Sequence, residues 1–365
     1  MSQDYSAQLK SAIDAYHHLR GQPALLHLGR LADLAESHGD ESTVVQTLCQ
    51  LVRDAHHLDL MAPQISALHR LLGLYLGNPR YSFARPRVLW YHKWVAETLV
   101  ENADVSRAVI DSFFQNLDTL FLAENVGLRP SHQLRCRTAW MMGRNDEAQA
   151  HFDRWQATPS GKSDDCAACE ISAQVEFRLA LSQIPQAMDA ARPLLQGELH
   201  CEEVPALTFS RLMIVAMNAG NMQLAEAMHR STLRQLRHKP DLLACLARHI
   251  VYRALTGRAR ATRRLAAVAL AKAPRVSDYN RFTAYQAGAV WFSLLVREGQ
   301  TAVKLPGQIA LASADRLVPT PVGAEWCLQQ SRALADRFDA RNGTSLFANR
   351  IHESENLIRA ICKDS

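Results

Sequence analysis

Glycine and proline are scarce in this chain, at 16 and 14 of 365 residues. Together they make about two-thirds of ordinary usage, which sets aside collagen-like, linker-rich and turn-dense all-β chains. A membrane-length apolar run is missing too. The longest uncharged apolar stretch, near residues 284–296, is broken by Gln286, Gly288 and Ser293, and a spanning helix needs roughly 18 or more apolar residues. Met1-Ser2-Gln3-Asp4-Tyr5 leads straight into a charged helical pattern, not into the basic and then apolar segment of a secretory leader. Nor is there a large excess of one charge, since 41 Lys and Arg face 36 Asp and Glu for a net +5. Enzyme signatures are absent as well: no G-x-S-x-G and no H-E-x-x-H occur. Ser160-Gly161-Lys162-Ser163 mimics the end of a phosphate-binding loop, but Gln156 stands where the first glycine must turn. The chain reads as non-catalytic.

What is present is repetition. Met142-Gly143-Arg144-Asn145-Asp146-Glu147-Ala148 runs on to Phe152, Trp155 and Pro159. The frame returns at Ala219-Gly220-Asn221, with Ala225, His229, Thr232 and Pro240, and at Thr256-Gly257-Arg258, with Thr262, Ala266, Ala269 and Pro274. A fainter copy is Leu181-Ser182-Gln183, with Ala187, Ala191 and Leu194. The equivalent positions 148, 187, 225 and 262 lie 39, 38 and 37 residues apart, the near-constant period of a structural repeat. In each unit a Gly or polar pair ends one helix and opens a tight turn. A small residue then lets the next helix approach its partner, and proline closes the unit. Each helical hairpin leaves an apolar face that only a neighbouring hairpin can bury, so the units are expected to stack.

This unit resembles the tetratricopeptide repeat, whose standard length is about 34 residues. Arg178 and Arg253 stand where the first helix of that repeat packs a large ring. The run Asp164-Asp165-Cys166-Ala167-Ala168-Cys169-Glu170, then Cys201-Glu202-Glu203-Val204-Pro205, then Arg248-His249 leading to Ala254-Leu255-Thr256-Gly257, is similar to a group of bacterial tetratricopeptide-repeat proteins of unassigned function. Phe338-Asp339-Ala340-Arg341-Asn342-Gly343-Thr344 is similar to the closing motif of that group. The resemblance implies an all-α solenoid, a right-handed superhelix of five to seven helical hairpins, and a bacterial origin. It brings no activity with it. The expected organisation is a divergent helical segment over 1–130, the repeat block over 131–275 and a helical cap over 276–365. Residues 157–165 read as a loop, and residues 299–323, with Pro306, Pro319 and Pro321, as the least regular stretch.

The eight cysteines, at 49, 136, 166, 169, 201, 245, 327 and 362, are scattered, as expected of thiols in a reducing cytoplasm. Three of them can nonetheless converge. Cys166-x-x-Cys169 precedes the first helix of a hairpin and Cys201 follows the second, and both ends of an antiparallel pair lie at one edge. Three thiolates there suit a zinc ion at ~2.3 Å, with His200, His238 or Asp165 as candidate fourth ligand. Such a metal would be structural, stapling the loops between units. Plain half-buried thiols and reversible disulfide exchange are the alternatives.

Residues 228–275 carry twelve Lys and Arg against one acid, Asp241. Stacking would gather this charge, including Arg253, Arg258, Arg260, Arg263 and Arg264, into a basic patch. Such a patch suits an acidic protein segment or the phosphates of a nucleic acid. Single strands would also need stacking aromatics, and only Tyr252 and Tyr279 lie near in sequence. Trp90 and Trp94, four residues apart, share one helix face and read as core packing.

The expected function is a cytoplasmic protein-interaction scaffold or adaptor that holds a partner protein or peptide, acidic in character, in the solenoid groove. First helices of repeats line such grooves, which places Arg137, Glu176, Ser210 and Ile214 there. The alternative is a nucleic-acid-binding solenoid that uses the basic patch. No membrane partner is expected.

Overall fold

The computed structural model describes residues 3–236, 242–307, 309, 311 and 315–363, and among them eighteen α-helices make almost the whole fold. The first part holds α1 (Gln3–His18), α2 (Gln22–Ser37), α3 (Glu41–His57), α4 (Met61–Gly77), α5 (Arg85–Val100) and α6 (Arg107–Ala123). The repeat region holds α7 (Arg129–Met141), α8 (Asn145–Ala157), α9 (Ala167–Ala180), α10 (Ile184–Ala190), α11 (Arg192–Leu195), α12 (Ala206–Asn218), α13 (Met222–Leu236), α14 (Leu243–Arg253) and α15 (Arg263–Lys272). The chain closes with α16 (Asp278–Arg297), α17 (Thr320–Asn342) and α18 (Leu346–Lys363). No helix among the described residues is long and apolar enough to cross a membrane.

The repeat frame appears in the backbone. Its four turns fall at Gly143, Ser182, Gly220 and Gly257, with φ of 77°, 58°, 76° and 74°. That left-handed conformation is costly for most side chains and free for glycine. The small residues that follow, Ala148, Ala187, Ala225 and Thr262, are all 0% exposed, so each second helix presses its small residue against its partner.

The irregular stretch holds a two-stranded antiparallel hairpin, β1 (Ala302–Lys304) with β2 (Leu317–Pro319), in which Val303 faces Val318. The sequence shows no alternation here because each strand is three residues long, too short for a period of two to declare itself.

The last three helices fold back on the turns of the first half. The carboxylate of Asp59, in the α3–α4 turn, accepts from Ser277 N and Ser277 Oγ at 2.8 Å and from Asn280 Nδ2 at 2.7 Å. Burial, together with Glu101, pushes the Asp59 carboxyl up to about 6. Tyr279 N donates to Glu101 O at 2.9 Å, and Asp278 Oδ2 accepts from Ala103 N at 3.0 Å. Farther on, Arg341 Nη1 donates to Asn102 O at 2.8 Å and Thr344 Oγ1 to Met142 O at 2.9 Å. One cluster of buried apolar side chains accordingly runs from Leu28 to Ile361. The expected boundary at 130/131 falls inside α7, and that at 275/276 falls just before α16.

Two glycines should respond in opposite ways to alanine. A Cβ at Gly323 would lie 2.5 Å from ring carbons of Phe292, a residue with no exposure. Overpacking of that kind costs about 1–3 kcal/mol, against roughly 1 kcal/mol gained in helix propensity. Gly323→Ala is therefore expected to lower the thermal midpoint by a few degrees. Gly29, in α2 with nothing within 4 Å of its Cβ position, is expected to gain stability on the same change. Thermal unfolding of the two variants checks both signs.

Candidate binding channel and cysteine cluster

The helices enclose a cavity of about 610 Å³ whose wall draws on α3, α5, α7, α9, α12, α14 and α16. A second cavity, about 490 Å³, lies behind it and reaches α18. The two share Trp140, Glu176, Arg211, Ala244, Arg248 and Tyr279 as a common wall. The two adjoin across these residues, and the pair is called the channel.

One side of this channel is built by α5. Pro86 opens the helix near its first turn, where a missing N–H costs nothing. Along one face come Trp90, Lys93, Trp94, Glu97 and Glu101, all in the wall of the larger cavity. Trp94 stacks on His56 with ring centroids 4.4 Å apart, and Lys93 Nζ sits 4.2 Å from the centre of the Trp90 ring. Trp94 thus packs against α3 as well as lining the cavity, whereas Trp90 lies outside the core packing expected of it. Trp90 is 36% exposed.

The polar groups of the channel are mostly tied to one another. Lys93 pairs with Asp165, and Arg211 with Glu176. Arg137 Nη2 donates to Glu101 Oε1 at 2.7 Å. Burial pushes the Glu97 carboxyl up to about 7, with Asp165 and Glu101 adding to the rise and Arg137 opposing it. Around Tyr279 the balance runs the other way. Burial would raise its phenol, but Arg211, Arg350 and Arg248 outweigh that and bring it down to about 8. Burial, reinforced by Arg248, lowers Arg211 to about 9.

Arg248 and Arg350 form no ion pair among the described residues. The nearest partners of Arg248 are Ser210 Oγ at 3.4 Å and Cys245 Sγ at 3.7 Å, while the guanidinium of Arg350 lies over Phe347. Three other wall residues, Gln133, Arg137 and Trp155, carry buried polar atoms (Oε1, Nη1 and Nε1) without a hydrogen-bond partner. Such atoms cost about 1–3 kcal/mol each and favour a bound polar group that satisfies them.

The loop ahead of α9 is locked from α7. Arg129 Nη1 pairs with Asp164 at 2.7 Å, its Nη2 with Glu170 Oε2 at 2.6 Å, and its Nε donates to Thr158 O at 3.0 Å. The loop delivers Cys166 to the N-cap of α9 and Cys169 to its first turn. Cys201, in the turn before α12, comes back beside them. The Cys169 and Cys201 sulfurs are 3.3 Å apart, and all three sulfurs lie within 4.8 Å of one another. The separation exceeds the ~2.05 Å of a disulfide, so these are thiols. Burial and the neighbouring Cys201 push the Cys169 thiol far up. Burial also works on Cys166, but donors from Cys169 and Cys201 outweigh it and lower its pKa. Three close cysteines of this kind can bind a metal ion.

No family model, curated protein or solved structure matches this chain.

Of the groove residues expected from sequence, Arg137 and Glu176 line the channel and Ile214 lines its second cavity. Ser210 is fully buried, donates to Leu207 O at 2.8 Å and lines neither cavity. The three cysteines meet as expected. Of the candidate fourth ligands, Asp165 and His200 do not join them, since Asp165 serves Lys93 and Gln133 and His200 is exposed; His238 lies outside the described residues.

The arginines of the basic segment are largely engaged with the protein's own acceptors. Arg258 pairs with Glu226 at 2.8 Å and Arg260 with Glu298 at 3.2 Å. Arg253 donates to Thr262 Oγ1 and Arg263 to Lys304 O, while Arg264 is exposed. Arg253 and Arg258 also border a shallow hollow of about 340 Å³ beside His229.

Sequence reasoning missed Glu97, Arg211 and Arg248. A signal was available, because each is a lone charge inside an apolar helical run, as in Leu246-Ala247-Arg248 or Val95-Ala96-Glu97. Such residues are rarely buried unless paired or ligand-bound.

Proposed function

We propose that this chain is a non-catalytic helical-repeat scaffold of tetratricopeptide type, a right-handed solenoid closed by its last three helices, that binds an acidic polypeptide segment in its inner channel. The carrying observation is that Arg248, in the shared wall beside the Arg211–Glu176 pair, and Arg350, in the adjoining second cavity, lack carboxylate partners among the described residues. A carboxylate entering there meets guanidinium donors in a desolvated place, where a charge-assisted hydrogen bond is worth about 1.5–3 kcal/mol. Trp90, Trp94 and Trp140 supply the apolar contacts that anchor side chains of a bound segment. A zinc ion on Cys166, Cys169 and Cys201 ties the loop before α9 to the turn before α12, holding one rim of the channel. A bacterial cytoplasm suits both the thiols and the zinc.

Peptides selected from a random display library against the full chain test this reading. Acidic sequences are expected to dominate, and Arg248→Ala and Arg350→Ala are each expected to weaken them about tenfold or more, or 1.4 kcal/mol. Neither change strands a buried carboxylate, so both variants should fold. Selected peptides that lack acidic residues, or bind the variants as well as the parent, would sink the proposal.

A further inference from the structure

The cysteine cluster is three-sided. Behind it, Cys169 and Cys201 pack against the buried Ala168, Leu194 and Val204. In front, all three cysteines belong to the wall of the larger cavity. No fourth His, Cys, Asp or Glu among the described residues completes the cluster. Zinc asks for four ligands, and a tetrahedron of ~2.3 Å bonds has edges of about 3.8 Å, a spacing the three sulfurs already approach. With three protein ligands on one side, the fourth position is directed away from the apolar backing.

We infer that this fourth position opens on the channel and takes a thiol from the channel's occupant, either a cysteine of the bound segment or a small thiol compound. The inference rests on the zinc reading given above. A zinc ion with three thiolates carries a net charge of −1, a soft and electron-rich centre that prefers sulfur to oxygen donors. That charge also weakens its pull on a bound water, which separates the site from the hydrolytic zinc centres built on neutral imidazoles. The reaction would be a ligand exchange: the entering thiol would form a zinc–sulfur bond as the bond to a fourth-position water breaks, its S–H bond would break, and the displaced water and the proton would leave to solvent past the exposed Cys166. No electron moves, and the three cysteines remain thiolates. Zinc-bound thiolate forms near neutral pH because the metal stabilises the deprotonated sulfur.

The test uses Co²⁺ in place of zinc on the full chain, kept reduced with a phosphine that brings no thiol. Expected first is a sulfur-to-cobalt charge-transfer band of three-thiolate intensity. Cys166→Ser, Cys169→Ser and Cys201→Ser should each reduce Co²⁺ affinity by more than the roughly 10–100-fold that loss of a supporting group costs. Cys166 is exposed, so its serine variant keeps the fold and the comparison stays valid. Adding 2-mercaptoethanol should then raise the charge-transfer intensity by about a third and shift the visible bands, whereas acetate should leave them unchanged. Co²⁺ bound equally well by the serine variants, or not at all, overturns the zinc reading and the inference with it. Three-cysteine binding with a spectrum that thiol does not move overturns the open position alone. A spectrum altered by His238→Ala would name the residue that fills it instead.

Discussion

Arg137→Ala is expected to lower stability by about 3–5 kcal/mol at pH 8, the usual cost of stranding a buried partner. Arg137 holds Glu101 at 2.7 Å and faces Glu97, whose carboxyl burial has already pushed up to about 7. Asp59, pushed up to about 6, feels Glu101 as well. Removing the one guanidinium in this group leaves three carboxyls in a poorly solvated place, and they can relieve it only by taking up protons. A carboxyl with a raised folded pKa carries no penalty below its unfolded value, near 4.5 for Glu97. The penalty grows as pH rises from there to the folded value and levels off above it, and loss of Arg137 moves that folded value higher still. The gap between parent and variant should therefore narrow from pH 8 to pH 5.5. Replacing both charges, as in Arg137→Met with Glu101→Gln, should recover much of the loss, since a neutral pair avoids the stranded charge. Urea unfolding of the three proteins at both pH values measures this. An equal gap at pH 8 and pH 5.5, or a double variant no better than the single one, would refute it.

The parts of the fold that were legible are those governed by local chemistry. A left-handed turn needs glycine or a small polar residue, and a close helix crossing needs a small side chain. The frame at 143, 182, 220 and 257, with Ala148, Ala187, Ala225 and Thr262 behind it, therefore shows in the sequence and again in backbone angles and burial. The return of α16, α17 and α18 onto the first half has no such signature. It depends on Asp59 meeting Ser277 and Asn280 across more than two hundred residues. Each of these residues taken alone reads as a turn or cap.

A similar division runs through the candidate site. The cysteines were legible because hairpin geometry returns the chain to the same edge, and Cys201 indeed lies beside Cys169. Arg178, noted for standing where a ring is usual, lies 4.6 Å from the Phe152 ring, so its flat guanidinium packs against an aromatic face. The channel itself is a product of closure. Arg211, Arg248, Tyr279 and Arg350 come from four helices, α12, α14, α16 and α18, and no spacing rule joins them. The charge-rich segment 228–275 attracted attention through composition. Composition cannot register that Glu226 and Glu298, one near the start of the segment and one beyond it, already pair with Arg258 and Arg260.

One buried histidine pair should cost this protein stability in mild acid, at a pH where carboxylates held low, such as Glu226, are still ionised. His229 on α13 and His249 on α14 face each other with Nδ1 atoms 2.8 Å apart, and Thr232 Oγ1 lies 3.2 Å from His249 Nε2. The two side chains are 3% and 0% exposed. A contact between two Nδ1 atoms needs one donor and one acceptor, so at least one ring must stay neutral. Burial drives His229 down to about 4, with Arg258, Arg253 and Arg230 adding to the fall and Glu226 opposing it. Burial, followed by His229, Arg248 and Arg253, drives His249 down to about 3. A histidine with a depressed folded pKa costs nothing above its unfolded value of 6.5. Below that value the unfolded chain binds protons that the native pair refuses, and stability falls until the folded value is reached. At 1.36 kcal/mol per unit, each histidine removes about 2 kcal/mol between pH 6.5 and pH 5. Carboxylates held low, such as Glu226 at about 2, add their own loss only below about pH 4.5. Between pH 7.5 and pH 5 protonation of Glu97 and Asp59 relieves their own burial and works against this loss, equally in the parent and in a variant of the histidine pair, so the difference between the two proteins carries the test. Urea unfolding followed from pH 7.5 to pH 5 should show His249→Gln, whose amide can still meet His229 and Thr232 but binds no proton, gaining about 2 kcal/mol on the parent by pH 5. Parallel slopes in the two proteins would show that this pair is not what makes the fold sensitive to acid.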